Sequence, residues 1–238
     1  MTIDTGDQQW PAGWSVEWVA ETGSTNDDLL AAGRAGAPDR TVRAADHQTA
    51  GRGRLDRRWD APPGANLLVS LLLRDVPKHP HHVTQRVALA AVDACRDLAG
   101  VDAVLKWPND VLLADGRKLA GVLAQLGTDG GEQFVVVGIG VNVGWAPEGA
   151  ASLDGAITPR QLLRGLLAAF DALPVDIGPT YRGRLATVGQ QVRVELPGDA
   201  VILGRAIDVE DDGRLVVLDD CAITHRIDAG DVVHLRPV

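Results

Sequence analysis

The chain has 238 residues, enough for one large domain or a large and a small one. Apolar residues make up 45% and charged residues 23%, a globular make-up that excludes a wholly disordered or collagen-like chain. Lys and Arg number 23 against 32 Asp and Glu, and the net charge of −9 speaks against a nucleic-acid footprint over the whole chain. Met1 to Trp10 carries neither the basic nor the apolar stretch of a signal peptide. Trp10, Trp14 and Trp18, spaced by four, read as a helical stripe of packing residues. Thr25 is placed to cap a helix, with Asp28 three residues on, and the helix runs to Gly33. Arg43 to Asp46 reads as a short strand, followed by a basic loop from Gln48 to Trp59. Leu67 to Leu73 suits a strand buried on both faces and is far too short to span a bilayer.

Val83 to Leu98 has helical apolar spacing and ends near Gly100. Short strands follow at Val101 to Lys106 and Val111 to Leu113. Longer ones are predicted at Lys118 to Leu126 and Phe134 to Val143, joined by a turn at Gly127 to Gly131. Pro147 to Gly155 is a loop. Thr158 caps a helix with Pro159 in its first turn, reaching about Phe170, and Thr180 to Ala186 adds a short helix. From Val188 the texture changes to short alternating runs around the hairpin signal Asp212-Gly213. Five short strands in about fifty residues predict a small all-β barrel, so the division falls at 1–187 and 188–238.

Four segments carry candidate chemistry. Gly51-Arg52-Gly53-Arg54 can expose backbone N–H groups and gather anionic oxygens, or it can be a solvated charged loop. Lys106-Trp107-Pro108-Asn109-Asp110 is either a tight turn around a packed Trp or a group of phosphate and ligand contacts. Lys118 opens an apolar strand, so it needs an anionic partner or must reach the surface. Gly138-Ile139-Gly140-Val141-Asn142 marks a structural bend or a close approach by a ligand, with Asn142 needing partners. His79, His81 and His82 flank Pro80 without a metal-site spacing, and no residue is assigned as a metal ligand. Cys95 falls on an apolar helix face as an inert thiol. With Cys221 it makes neither a disulfide framework nor a zinc pattern.

Together with Ser24-Thr25-Asn26, these segments stand in an order that resembles the biotin–protein ligases over nearly the whole chain. The resemblance implies an α+β fold: a mixed sheet flanked by helices, like class II aminoacyl-tRNA synthetases, followed by an SH3-like β-barrel. It implies activation of biotin by ATP with Mg2+ to biotinyl-5′-AMP. Transfer then follows to a lysine of a biotin carboxyl carrier protein of an acetyl-CoA, acyl-CoA or pyruvate carboxylase. Carried over, Ser24, Thr25, Asn26, Gln48, Gly51, Arg52, Gly53, Arg54, Trp59, Lys118 and Gly121 bind biotin. Arg52, Arg54, Lys106, Asn109, Asp110 and Asn142 serve the nucleotide, and Arg52 and Lys118 are the catalytic pair. Leu55 and Asp56 depart from the family loop, where Arg and Gly are frequent. The start at Ser24 leaves no room for the DNA-binding domain of some members, so an enzyme-only, cytoplasmic form without nucleic-acid or membrane partners is expected. Lipoate–protein ligase and a non-catalytic adenylate-binding regulator are the rival readings.

Overall fold

The computed structural model describes residues 9–54, 57–79, 81–196, 198, 200–228 and 230–234. Leu55 and Asp56, the departures from the family loop, lie outside them. The larger sheet contains β1 (Ser15–Thr22), β2 (Thr41–Gln48), β3 (Leu67–Leu73), β4 (Ala103–Lys106), β5 (Asp110–Leu113), β6 (Lys118–Asp129) and β7 (Glu132–Val141). Their spatial order is β1-β2-β3-β7-β6-β5-β4. β1 and β2 pair in parallel, linked through helix α1 (Thr25–Arg34), and every other pairing is antiparallel. The sheet is therefore mixed, as expected.

Side chains alternate across a strand, and this gives the sheet two unlike faces. Val135, Val137, Ile139 and Val141 of β7 enter the main core with α2 (His81–Ala99) and α3 (Pro159–Ala172). Phe134 and Val136 face the other way and pack with Leu72 against Leu29 and Leu30 of α1. The same face continues through Gly138 and Gly140. Removing two side chains there leaves a hollow beside α1. Gly33 is where α1 comes closest, since a Cβ on it would lie 2.3 Å from the Phe134 ring and 2.9 Å from Leu72 Cδ1. Gly33→Ala should lower stability by about 1–3 kcal/mol through overpacking, outweighing the ~1 kcal/mol that alanine gains in a helix. An unchanged or higher midpoint in urea would contradict this.

Several element predictions need correction. Trp10, Trp14 and Trp18 form no helical stripe: Trp18 lies in β1, and Trp14, 7% exposed, meets Phe170 edge-on just before it. The α1 cap is Ser24, whose Oγ accepts from Asp27 N, because the Thr25 hydroxyl is committed to Gln48 Oε1 and Ser70 Oγ. β6 and β7 run on to a two-residue turn at Gly130 and Gly131, both at positive φ. The Thr158 capping box of α3 is present. Cys95 is buried, and burial pushes its thiol pKa up to about 12. Among the described residues no three His, Cys, Asp or Glu side chains gather as a metal site, and no helix is long and apolar enough to cross a membrane.

After α4 (Gly178–Arg184) come β8 (Gln191–Glu195), β9 (Val201–Val209), β10 (Leu215–Leu218), β11 (Thr224–Ile227) and β12 (Asp231–His234). They form an antiparallel sheet ordered β11-β10-β9-β8-β12, with β11 and β12 at its edges rather than paired into the closed barrel that was expected. Val192, Val194, Ala206, Leu215 and Val217 belong to the same hydrophobic cluster as α2 and α3. Trp107, 1% exposed, ties the two sheets: its Nε1 donates to Gly213 O at 2.9 Å and its backbone N–H to Thr187 Oγ1 at 3.0 Å.

Candidate active site

The hollow beside α1 is a cavity of about 250 Å³. Its floor is glycine: Gly121 pairs with Gly140 and Leu123 with Gly138 across β6 and β7. At its inner end stands a polar cluster. Thr25 N–H donates to Gln48 Oε1 at 2.8 Å, and the Ser70 hydroxyl donates to Asn26 Oδ1 at 2.5 Å. Thr25 Oγ1 lies 2.7 Å from Ser70 Oγ, and Asn26 Nδ2 donates to Gln125 Oε1 at 2.8 Å. Such a network holds its donors and acceptors in fixed directions, as recognition of a compact polar ring requires.

The basic segment forms a strap over this hollow. Arg52 and Arg58 make an antiparallel bridge, with Gly53 N–H on Arg57 O at 2.6 Å and Trp59 N–H on Gly51 O at 3.0 Å. Gly51 does not line the cavity. It is the strap's base, where a Cβ would sit 2.3 Å from Trp59 O. The Trp59 ring lies on Gly140 and Gly121, and its Nε1–H is buried without an acceptor among the described residues. Arg52 reaches Asp27 Oδ2 at 2.8 Å on the outside. Arg54 points inward to Asn109 Oδ1 and Gly230 O, each at 3.3 Å. Burial lowers the Arg54 pKa, opposed by the charges of Asp231 and Asp110.

Lys118 Nζ lies 2.6 Å from Asp110 Oδ1 and 5.6 Å from the centre of the Trp59 ring. It thus has the anionic partner its place in an apolar strand demanded. Asn142, 2% exposed, donates from Nδ2 to Ala151 O at 2.9 Å and so pins the 147–155 loop beside the cavity. Ser24, Thr25, Asn26, Gln48, Arg52, Gly53, Arg54, Trp59, Asn109, Asp110, Lys118, Gly121 and Asn142 all line this one space. Lys106 does not. It ends β4, the outermost strand, with β5 between it and the glycine floor, and its charge instead helps burial lower the pKa of His234. Arg57, Arg58, Asp60 and Asp231 also line the cavity. Arg57 and Arg58 extend the basic run and Asp60 closes it, whereas nothing local marks Asp231.

Residues 19–142 match the biotin/lipoate A/B protein ligase family, and residues 187–235 match the biotin protein ligase C-terminal domain. The chain belongs to the biotin protein ligase family. It is 43% identical to a biotin–[acetyl-CoA-carboxylase] ligase of Mycobacterium tuberculosis, over 94% of this chain and 91% of that one. With the bifunctional ligase/repressor of Escherichia coli it shares 30% identity over 87% of this chain and 70% of that one. A biotin protein ligase from Aquifex aeolicus, solved with biotin and ATP, superposes with a TM-score of 0.75 at 24% identity, over 94% of this chain and 99% of that one. One from Leishmania major with biotinyl-5-AMP gives 0.65 at 21%, covering 92% and 100%. At these identities the superpositions establish the fold of this ligase.

Proposed function

We propose that this ligase activates biotin with ATP to biotinyl-5′-AMP and transfers the biotinyl group to a lysine of a biotin carboxyl carrier protein. The observation that carries the reading is the convergence of thirteen matched side chains and glycines on one cavity, roofed by an arginine strap. The Thr25–Gln48–Ser70–Asn26 cluster takes the polar ring of biotin, and the glycine floor and Trp59 take its apolar body. Lys118 meets the carboxylate. Arg54, Asn109 and Asp110 face the nucleotide. Asn142 supports the nucleotide-side loop.

A carboxylate repels an approaching triphosphate. Lys118 and the strap arginines reduce that repulsion, and they stabilise charge on the α-phosphate as the carboxylate oxygen attacks and pyrophosphate leaves. Asp110, which lines the cavity, would be the carboxylate to hold a magnesium ion brought in with the phosphates, and the ion would supply further neutralisation of their charge. The product is a mixed anhydride, and a roof that excludes water protects it until the carrier's amine displaces AMP. Residues 1–187 act as the ligase domain, of class II synthetase type, and 188–238 as an SH3-like domain that braces it. The similarity to a named acetyl-CoA-carboxylase ligase supports a carboxylase carrier as acceptor; we extend the reading to acyl-CoA and pyruvate carboxylases and place the reaction in the cytoplasm.

Incubation with labelled biotin, ATP and a carrier domain tests this. Label should appear on the carrier in an ATP-dependent way, and its absence, or preferential use of lipoate, overturns the reading. Arg52 should matter after activation. In Arg52→Ala the adenylate is expected to form, leak and hydrolyse, raising AMP released per carrier labelled severalfold. An unchanged ratio refutes that role.

A further inference from the structure

The second sheet reaches into the cavity at one place. Asp231 opens β12, the strand beside β8, and Gly230 precedes it. Asp231 lines the cavity, and its carboxylate bonds Arg57 Nη2. One residue earlier, Gly230 O accepts from Arg54 Nη1 at 3.3 Å. The tight seat of this turn is evident at Gly230, where a Cβ would lie 2.9 Å from Val194 Cγ1 and 3.0 Å from Glu195 O. Two neighbouring residues, more than 170 positions from the strap, thus hold two of its arginines.

Other carboxylates serve the strap at its edges, Asp27 with Arg52 and Asp60 with Arg58. Asp231 differs from Asp27 in lining the cavity, and from both in belonging to the second sheet. The Asp231 side chain is 28% exposed against 65% for Arg57, so the pair is anchored on the Asp231 side. An arginine tethered at one nitrogen keeps its remaining N–H donors available for phosphate oxygens. Tethering reduces the rotamer freedom that Arg57 must lose when an anion arrives.

We propose that Asp231 is a positioning residue for ATP: through Arg57 it sets where the strap's positive charge meets the triphosphate, making the second sheet part of the nucleotide site. This rests on the reading that the arginine end of the cavity takes the nucleotide. Asp231→Asn keeps the size and a hydrogen-bonding oxygen but removes the charge. For a largely solvated ion pair the expected effect is a rise of about three- to fivefold in KM for ATP. KM for biotin, kcat and the melting temperature should stay close to wild type, and Asp231→Glu should recover part of the loss.

The decisive comparison is Arg57→Ala with and without Asp231→Asn. If Asp231 acts through Arg57, the double variant is no worse than Arg57→Ala alone. Multiplying effects, an unchanged KM for ATP in Asp231→Asn, or a fall in melting temperature and kcat with KM intact would each overturn the proposal. The ATP dependence of the wild type stands or falls with the functional reading. The differences among these variants stand or fall with the positioning role.

Discussion

Replacing Lys118 by alanine is expected to slow biotinyl-adenylate formation by about 10²-fold, the usual scale for losing one preorganised group that stabilises developing charge. The fold should survive. Lys118 is 38% exposed and its partner Asp110 18%, so their 2.6 Å pair sits near water and adds little to stability. Asp110 remains on β5 beside Gly121, held by backbone pairing that does not depend on the lysine side chain. The loss should therefore appear in the chemistry: pyrophosphate release falls while the melting temperature changes little. Chemically made biotinyl-5′-AMP bypasses the defective step, so carrier labelling from it should stay near wild type. If labelling from the supplied adenylate drops as far as adenylate formation does, Lys118 serves the transfer step and the assignment to activation is wrong.

Periodicity and local signals revealed the buried strand Leu67–Leu73, the capped helix at Thr158 and the Asp212-Gly213 hairpin. β1 was hidden. It is an edge strand with an irregular mix of half-buried and exposed positions, and its Trp18 happens to sit at helical spacing from Trp14 and Trp10, which precede the strand. The α1 cap was misplaced by one residue because the competitor for Thr25 is Gln48, a tertiary partner that no local rule contains. Lys106 pairs with Asp110 across the β4–β5 hairpin, yet only Asn109 and Asp110 of this segment line the cavity, a division that the linear motif does not show. Asn142 could be flagged as a polar residue in need of partners, but those partners, Asn66 and Ala151, come from two different loops. Asp231 was invisible, since its meaning lies wholly in the packing of one sheet against the strap of the other.

The glycine floor makes the sharpest demand. In Gly140→Ala the new methyl would lie 2.4 Å from Trp59 Nε1 and Cε2 and 2.8 Å from Cζ2. The indole cannot stay where it is, and the strap is linked to it, since Trp59 N–H is bonded to Gly51 O. One methyl group in a fitted pocket is worth about 10–200-fold in discrimination. Gly140→Ala should thus lower kcat/KM for biotin by at least tenfold, mainly through KM, and weaken adenylate retention as the roof lifts. Gly127→Ala provides the control. Its Cβ would meet the Phe134 ring at 2.3 Å, an equally severe clash, but in the small core under α1. That variant should lose stability and keep its KM for biotin. If the two variants lose biotin affinity equally, the effect is general loosening of β6 and β7. If Gly140→Ala alone loses it, the bare floor beneath Trp59 is the surface on which biotin lies.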